Sequence, residues 1–346
     1  TGSGNIAVGR NALGANTTAS NNTAVGHEAL VANTTGASNT AVGYTSLDAN
    51  TTGSNNVAVG QDALGANTTA SDNTAVGLSS LKLNVTGTSN TAVGKDALRA
   101  NLADNNTAVG MDALTANTTG GANTAVGKDA LIANTTAGQN VAIGRLALAT
   151  NTTGADNTAV GTAALTANTT ASNNTAVGLE ALTANTTGAG NTAVGAIALD
   201  AITTSSNNTA VGHEALTNAT TGTGNTALGK GSMTGVVAGS NNVAVGYTAL
   251  SANTTASNNV AMGYNALVAN TTGASNTGVG TYALDGNTTG DNNTAVGYNA
   301  LSAVTTSSNN VALGFRAGQA ITTGGRNTCI GEGSGITGSP SGNLTT

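Results

Sequence analysis

Few residues in this 346-residue chain could carry chemistry: two histidines, one cysteine and fifteen carboxylates. His27 and His213 each precede Glu-Ala-Leu, an arrangement that invites a metal-binding or acid–base reading. Cys329 is a candidate nucleophile by residue type, but it stands where the chain elsewhere has Ala and has no repeated His partner, so a buried small residue is the simpler reading. Asp96, Asp112 and Asp129 recur at one position of three successive sequence repeats. Stacked as parallel strands they would stand about 5 Å apart along one edge, either as a cation site or as a solvated edge offset by Lys95 and Lys128. The glycine-rich nonapeptide of calcium β-rolls is missing, as are a phosphate loop and a spaced Cys/His cluster, so the solvated edge is the default. Asn16, Asn33 and Asn50 begin Asn-Thr-Thr and match the N-glycosylation pattern, a match that an Asn- and Thr-rich repeat creates by composition alone. These residues predict no enzyme and no cofactor.

The elements that must position them come from one sentence written twenty times. Numbered from Asn22 as position 1, a unit runs Asn22, Thr23, Ala24, Val25, Gly26, with Leu30 at position 9 and Asn33 at position 12; the next begins at Asn39 with Val42, Gly43 and Leu47 in the same places. The period is 17 residues except for one 16-residue unit between Asn90 and Asn106. Position 1 is always Asn and position 5 always Gly. Position 4 is always Val, Ile, Leu or Met, and position 3 is Ala except at Gly278 and Cys329. His27 and His213 both occupy position 6, eleven units apart, roughly 50 Å at the strand spacing, so they cannot share a site.

Composition sets the cross-section. With five Tyr, one Phe and no Trp, the chain cannot fill a large globular core, and only 7% of its residues are charged. The net charge of −6 points to neither nucleic acid nor an anionic membrane as partner. No apolar run approaches the ~20 residues of a membrane span, and no membrane insertion is expected in this segment. Thr1 opens inside the pattern with no signal peptide, as a mature or excised segment would.

Positions 1 to 5 read as a short strand closed by a glycine turn. Positions 8 to 11 read as a helical turn or a second strand, and a helix so short gains almost nothing by itself. Each unit is therefore expected to be one coil of an all-β parallel β-solenoid of about 20 coils spanning residues 1–335, roughly 95 Å long at the strand spacing. Residues 336–346 read as a degenerate tail or the start of another segment. Val25, Val42, Leu30 and Leu47 are expected to form apolar ladders inside the coil, and Asn22 and Asn39 an amide ladder between coils. Ala24 lies on the opposite strand face from Val25 and is equally restricted, which suggests a sheet covered on both sides. The alternative is that Ala24 meets a narrow coil interior while position 2 faces outward. Positions 6, 7, 10 and 16 accept almost any residue and should face water.

The run "NTAVGxxAL" resembles the head repeats of YadA-like trimeric autotransporter adhesins, and the "NTTG" loops are similar to repeats of bacterial and phage tail-fibre-like proteins. The resemblance covers Asn5 to about Gly335. It implies a left-handed parallel β-roll assembled as a homotrimer, carried outside the cell on a cell surface or virion, with a host-cell or surface receptor as partner. This chain departs from that pattern in a coil about three residues longer, and it contains no heptad stalk. The expected role is a non-catalytic fibre shaft or adhesin head. Two alternatives stand beside it: a single-chain extracellular filament, and an ice-binding solenoid using ranks of Thr34 and Thr35 and their successors.

Overall fold

The computed structural model describes residues 2–235 and 237–335, and the 336–346 segment lies outside them. The chain divides into two compact units, residues 1–173 and 174–346. The first unit holds ten three-residue strands from β1 (Ile6–Val8) to β10 (Thr158–Val160), and the second ten more from β11 (Thr175–Val177) to β20 (Thr328–Ile330). Each unit is a parallel β-solenoid in which successive coils pair in register. β2 (Thr23–Val25) meets β3 (Thr40–Val42) as Thr23 to Thr40, Ala24 to Ala41 and Val25 to Val42. The short coil does not shift this register, since Thr91 still pairs with Thr107 and the missing residue comes out of the loop before Asn106.

Each coil has one strand, not two. The wall expected to form a helical turn or second strand at positions 8 to 11 takes left-handed backbone at Leu30 (φ 52°), as does Glu28 (φ 59°) just before it, so this wall is not extended. It is hydrogen-bonded all the same: Leu30 N–H donates to Ser46 O at 3.0 Å and Ala32 N–H to Asp48 O at 3.1 Å. Between-coil bonds therefore satisfy backbone groups that a strand would otherwise have paired.

The strand face is the opposite of the one expected for valine. Ala24 and Ala41 are fully buried, whereas Val25 and Val42 are only half-buried on the outer side. The apolar ladder inside the coil is built from Ala at positions 3 and 8, such as Ala24 and Ala29, together with Leu30 and Leu47, fully buried beyond the first coil. A 17-residue coil is too narrow for two branched ladders. Leu from one wall fills the space, and the strand opposite it contributes only a methyl group.

Two glycine and asparagine features hold the coils at their spacing. Gly43 has φ 142°, and a Cβ there would lie 2.6 Å from the carbonyl oxygen of Gly60 in the next coil. Position 5 is therefore glycine in every unit, on both conformational and steric grounds. Asn22 is fully buried, and its amide bonds to the asparagine of the next coil as expected, here through the backbone of Asn39. Its Oδ1 accepts the backbone N–H of Asn39 at 2.9 Å, and its Nδ2 donates to Gly36 O at 2.9 Å. Direct amide-to-amide bonds occur at position 1 in other coils, as from Asn242 Nδ2 to Asn225 Oδ1 at 3.1 Å and from Asn327 Nδ2 to Asn310 Oδ1 at 2.8 Å, and a second such ladder lies at position 12, where Asn50 Nδ2 donates to Asn33 Oδ1 at 2.9 Å and Asn67 Nδ2 to Asn50 Oδ1 at 2.9 Å. Position-12 amides also donate to a carbonyl three residues on, or two in the short coil, as Asn33 does to Gly36 at 2.9 Å and Asn101 to Ala103 at 2.7 Å, so at Gly36 two buried amides converge on one carbonyl. Buried polar groups this well paired give specificity of register at little net cost.

Candidate functional site

The residues first picked for chemistry do not assemble a reaction centre. His27 and His213 lie on the outer edge, each beside its own glutamate, at 3.8 Å from Glu28 and 3.6 Å from Glu214. Asp96 is paired with Lys95 at 3.7 Å and Arg99 at 3.6 Å, and Asp129 with Lys128 at 3.2 Å. Among the described residues no group of three or more His, Cys, Asp or Glu could hold a metal ion, and Asp96, Asp112 and Asp129 do not form such a group. Local cations face Asp96 and Asp129, the solvated-edge alternative. Cys329 is buried as a small core residue, and burial pushes its thiol above the usual cysteine range, away from the reactive thiolate.

The Asn-Thr-Thr loops also resolve. Asn33 and Asn50 are fully buried and tied into the amide ladder, so the folded coil offers neither to a glycosylating enzyme. Of the two threonine ranks, the first is spent on the backbone: Thr34 Oγ1 donates to Thr51 O and Thr51 Oγ1 to Thr68 O, each at 3.0 Å. The second rank, Thr35, Thr52 and Thr69, is exposed, and in the first rank so are residues such as Thr17, Thr203, Thr220 and Thr305. Where the first rank is half-buried, a single file of hydroxyls is left, narrower than the flat array that the ice-binding alternative needs.

Polar detail on the outer edge is local. Asp62 accepts Thr45 Oγ1 at 2.5 Å and Lys82 Nζ at 3.0 Å, and these partners, the threonine first, hold its carboxyl below the usual range. Asp48, in the same shallow groove lined by Tyr44, Lys82 and Leu83, is pushed up by burial. Asp200 and Asp285, at the equivalent position of other coils, are also pushed up by burial, and each has a buried Oδ1 without a partner.

Two surface features run from coil to coil. The first is the outer strand face, whose position-4 side chains are aliphatic although they are partly open to solvent. In the first unit Val93, Val109 and Ile143 are 36–40% exposed, and in the second Leu228, Met262 and Leu313 are 42–48% exposed. The signal was legible as a restriction on both strand faces; what could not be read was which face the coil interior uses. The second is a row of aromatic rings at positions 6 and 7 of the second unit, from Tyr247 to Phe315. Their solvent-facing positions were expected; their placement on five consecutive coils is also in the sequence, visible once the units are aligned. Each feature repeats one kind of side chain, aliphatic or aromatic, from coil to coil on a partly open surface. Compared with known proteins, the chain matches no family model and no curated protein.

Proposed function

We propose that the chain is a non-catalytic structural and adhesive segment of an extracellular fibre, on a cell surface or virion, that associates with copies of itself as a homotrimer of left-handed coils. One observation carries this reading: position 4 is Val, Ile, Leu or Met in all twenty units, yet it lies on the solvent side of the coil. The coil interior does not use these side chains, so burial inside one chain does not explain their restriction. Covering them gains roughly 25 cal/mol for each Å² of apolar surface removed from water. A second copy is the natural cover, because its row has the same coil spacing and the same absence of charge, and the match extends over any number of coils. Three such faces meeting at a common axis is the arrangement that the resemblance to trimeric adhesin heads implies. The variable positions 6, 7, 10 and 16 then remain outside as a surface for weak contacts repeated many times, with a host-cell or surface receptor as the partner.

The test replaces Val25, Val42 and Val59 together by Glu. The triple variant is expected to keep its β-rich circular dichroism but to lose mass in sedimentation, because like charges would face each other across the contact. A triple variant that sediments as the unaltered chain does would contradict the proposal.

A further inference from the structure

Five of the six aromatic residues, Tyr247, Tyr264, Tyr282, Tyr298 and Phe315, stand on successive coils of the second unit and touch in an unbroken row. Ring centroids are 5.6, 5.4, 6.2 and 5.3 Å apart along it. Tyr247 and Tyr264 are stacked, as are Tyr298 and Phe315, while Tyr282 is turned edge-on to both neighbours at 84° and 82°. Four of the rings are 40–48% exposed. The Arg316 guanidinium closes the row 5.0 Å from the Phe315 ring centroid.

Stacking contributes roughly 0.5–1.5 kcal/mol per ring pair. The fold does not depend on it, because the same position elsewhere holds Lys95, Met111, Lys128 or Thr162 on an unchanged coil. A row so concentrated in a chain with six aromatics is a surface specialisation. Its partner must be linear and must repeat with the coil, whose rise strand pairing fixes at about 4.8 Å. A bound polypeptide strand advances about 3.3 Å per residue and falls out of register. Stacked bases advance about 3.4 Å and bring phosphates to a chain of net charge −6 whose row offers one cation.

An extended polysaccharide advances one sugar ring in nearly the distance of one coil. The C–H faces of its sugars suit aromatic rings. Its hydroxyls suit the phenols of the row and the polar side chains of Thr248, Asn265 and Asn299 that lie among them at position 7. We propose that the row from Tyr247 to Phe315 binds an uncharged, extended β-linked polysaccharide laid along it, one sugar ring per coil. This deepens the adhesive reading by naming a partner class. It does not require self-association, so the two proposals fail separately.

The test titrates cellohexaose and chitohexaose into the full chain, followed by calorimetry and by tyrosine emission, which no tryptophan obscures. Saturable binding is expected with at least one of them, strengthening from trisaccharide to hexasaccharide. Tyr264→Ala combined with Tyr298→Ala should weaken it about tenfold or more, whereas Tyr44→Ala, outside the row, should leave it unchanged. Tyr264→Phe with Tyr298→Phe keeps the rings and the fold, and should weaken binding by less. No binding of either hexasaccharide, or equal affinity in all these variants, would overturn the proposal. So would a change of mass in solution in the double alanine variant, which would make the row a contact between copies.

Discussion

Leu47 poses the sharpest problem at the scale of single residues. It is fully buried, yet its backbone sits at φ 53°, a left-handed conformation that costs an L-residue roughly 1–2 kcal/mol. Burial of the side chain, worth about 1.5–3 kcal/mol, offsets that strain. Where the unit has Gly318 or Gly335 at this position, φ stays positive at 66° and 76°, so glycine adopts the same turn without the penalty. Leu47→Ala should therefore destabilise by about 2–5 kcal/mol in urea unfolding. Leu47→Gly should be no worse than Leu47→Ala, which inverts the usual order; a glycine variant clearly less stable than the alanine variant would show that the strain is not real.

Asp285 gives a prediction in pH. Burial raises its carboxyl above the ordinary aspartate value of 3.8, so the folded state holds the proton more tightly than the unfolded chain does. The associated stability is fully present below pH 3.8 and is lost as pH rises through the folded pKa. Asp48 and Asp200 act in the same direction, and Asp62, held low, acts in the opposite one, losing its contribution as pH falls through its folded pKa. Asp285→Asn should raise the melting temperature at neutral pH by roughly 1–2 °C and lose that advantage in acid, where both forms are uncharged. A melting-temperature difference that does not vary with pH would contradict this.

At the scale of the element, the coil is a single three-residue strand followed by turns that the neighbouring coils hydrogen-bond. The 16-residue unit shows where length can change: the residue is lost from the loop, Asn101 Oδ1 still accepts Asn117 Nδ2 at 2.7 Å, and the strands stay in register. Deleting Thr52 from the corresponding loop should leave a folded chain with a melting temperature within a few degrees of the original. Deleting Ala58 should not, because a one-residue slip sends every inward side chain of that strand outward. Equal loss in both deletions, read by circular dichroism melts, would contradict the division of labour between strand and loop. Asn50→Ala should cost about 1–3 kcal/mol in urea unfolding, since it leaves Asn33 Oδ1 without the amide that now donates to it.

The coil period, Gly43 and Leu47 were legible because twenty copies in one chain separate constrained positions from free ones. The orientation of Val42 was not. A strand restricted on both faces gives no alternation, and only the width of the coil decides that Ala41 goes inside. The position-12 ladder was missed because Asn-Thr-Thr reads as a polar loop, and because Ile202, Val304 and Ile321 interrupt the asparagines in the second unit. The left-handed turn at Glu28 and Leu30 has no signal in that unit alone, and shows only across copies, where position 7 is also Asn11, Asp62, Asp96, Gly231 or Asn265 and position 9 also Gly318 or Gly335, residues that adopt positive φ readily. At the candidate sites, the solvated reading of the Asp96 and Asp129 edge was available from Lys95 and Lys128, while the free choice at position 6 concealed the aromatic row.

At the scale of the whole molecule, direct element contacts among the described residues join only successive strands, so within each unit a coil depends on its immediate neighbours and on whatever covers its outer face. The aliphatic row on that outer face is fixed in the sequence but only partly buried in one chain. The most direct measurement is the mass of the unaltered chain in solution by multi-angle light scattering. Association of three copies through position 4 predicts a mass close to three times 32.8 kDa. A particle of 32.8 kDa would mean that the row stays in water, and the homotrimer would be wrong.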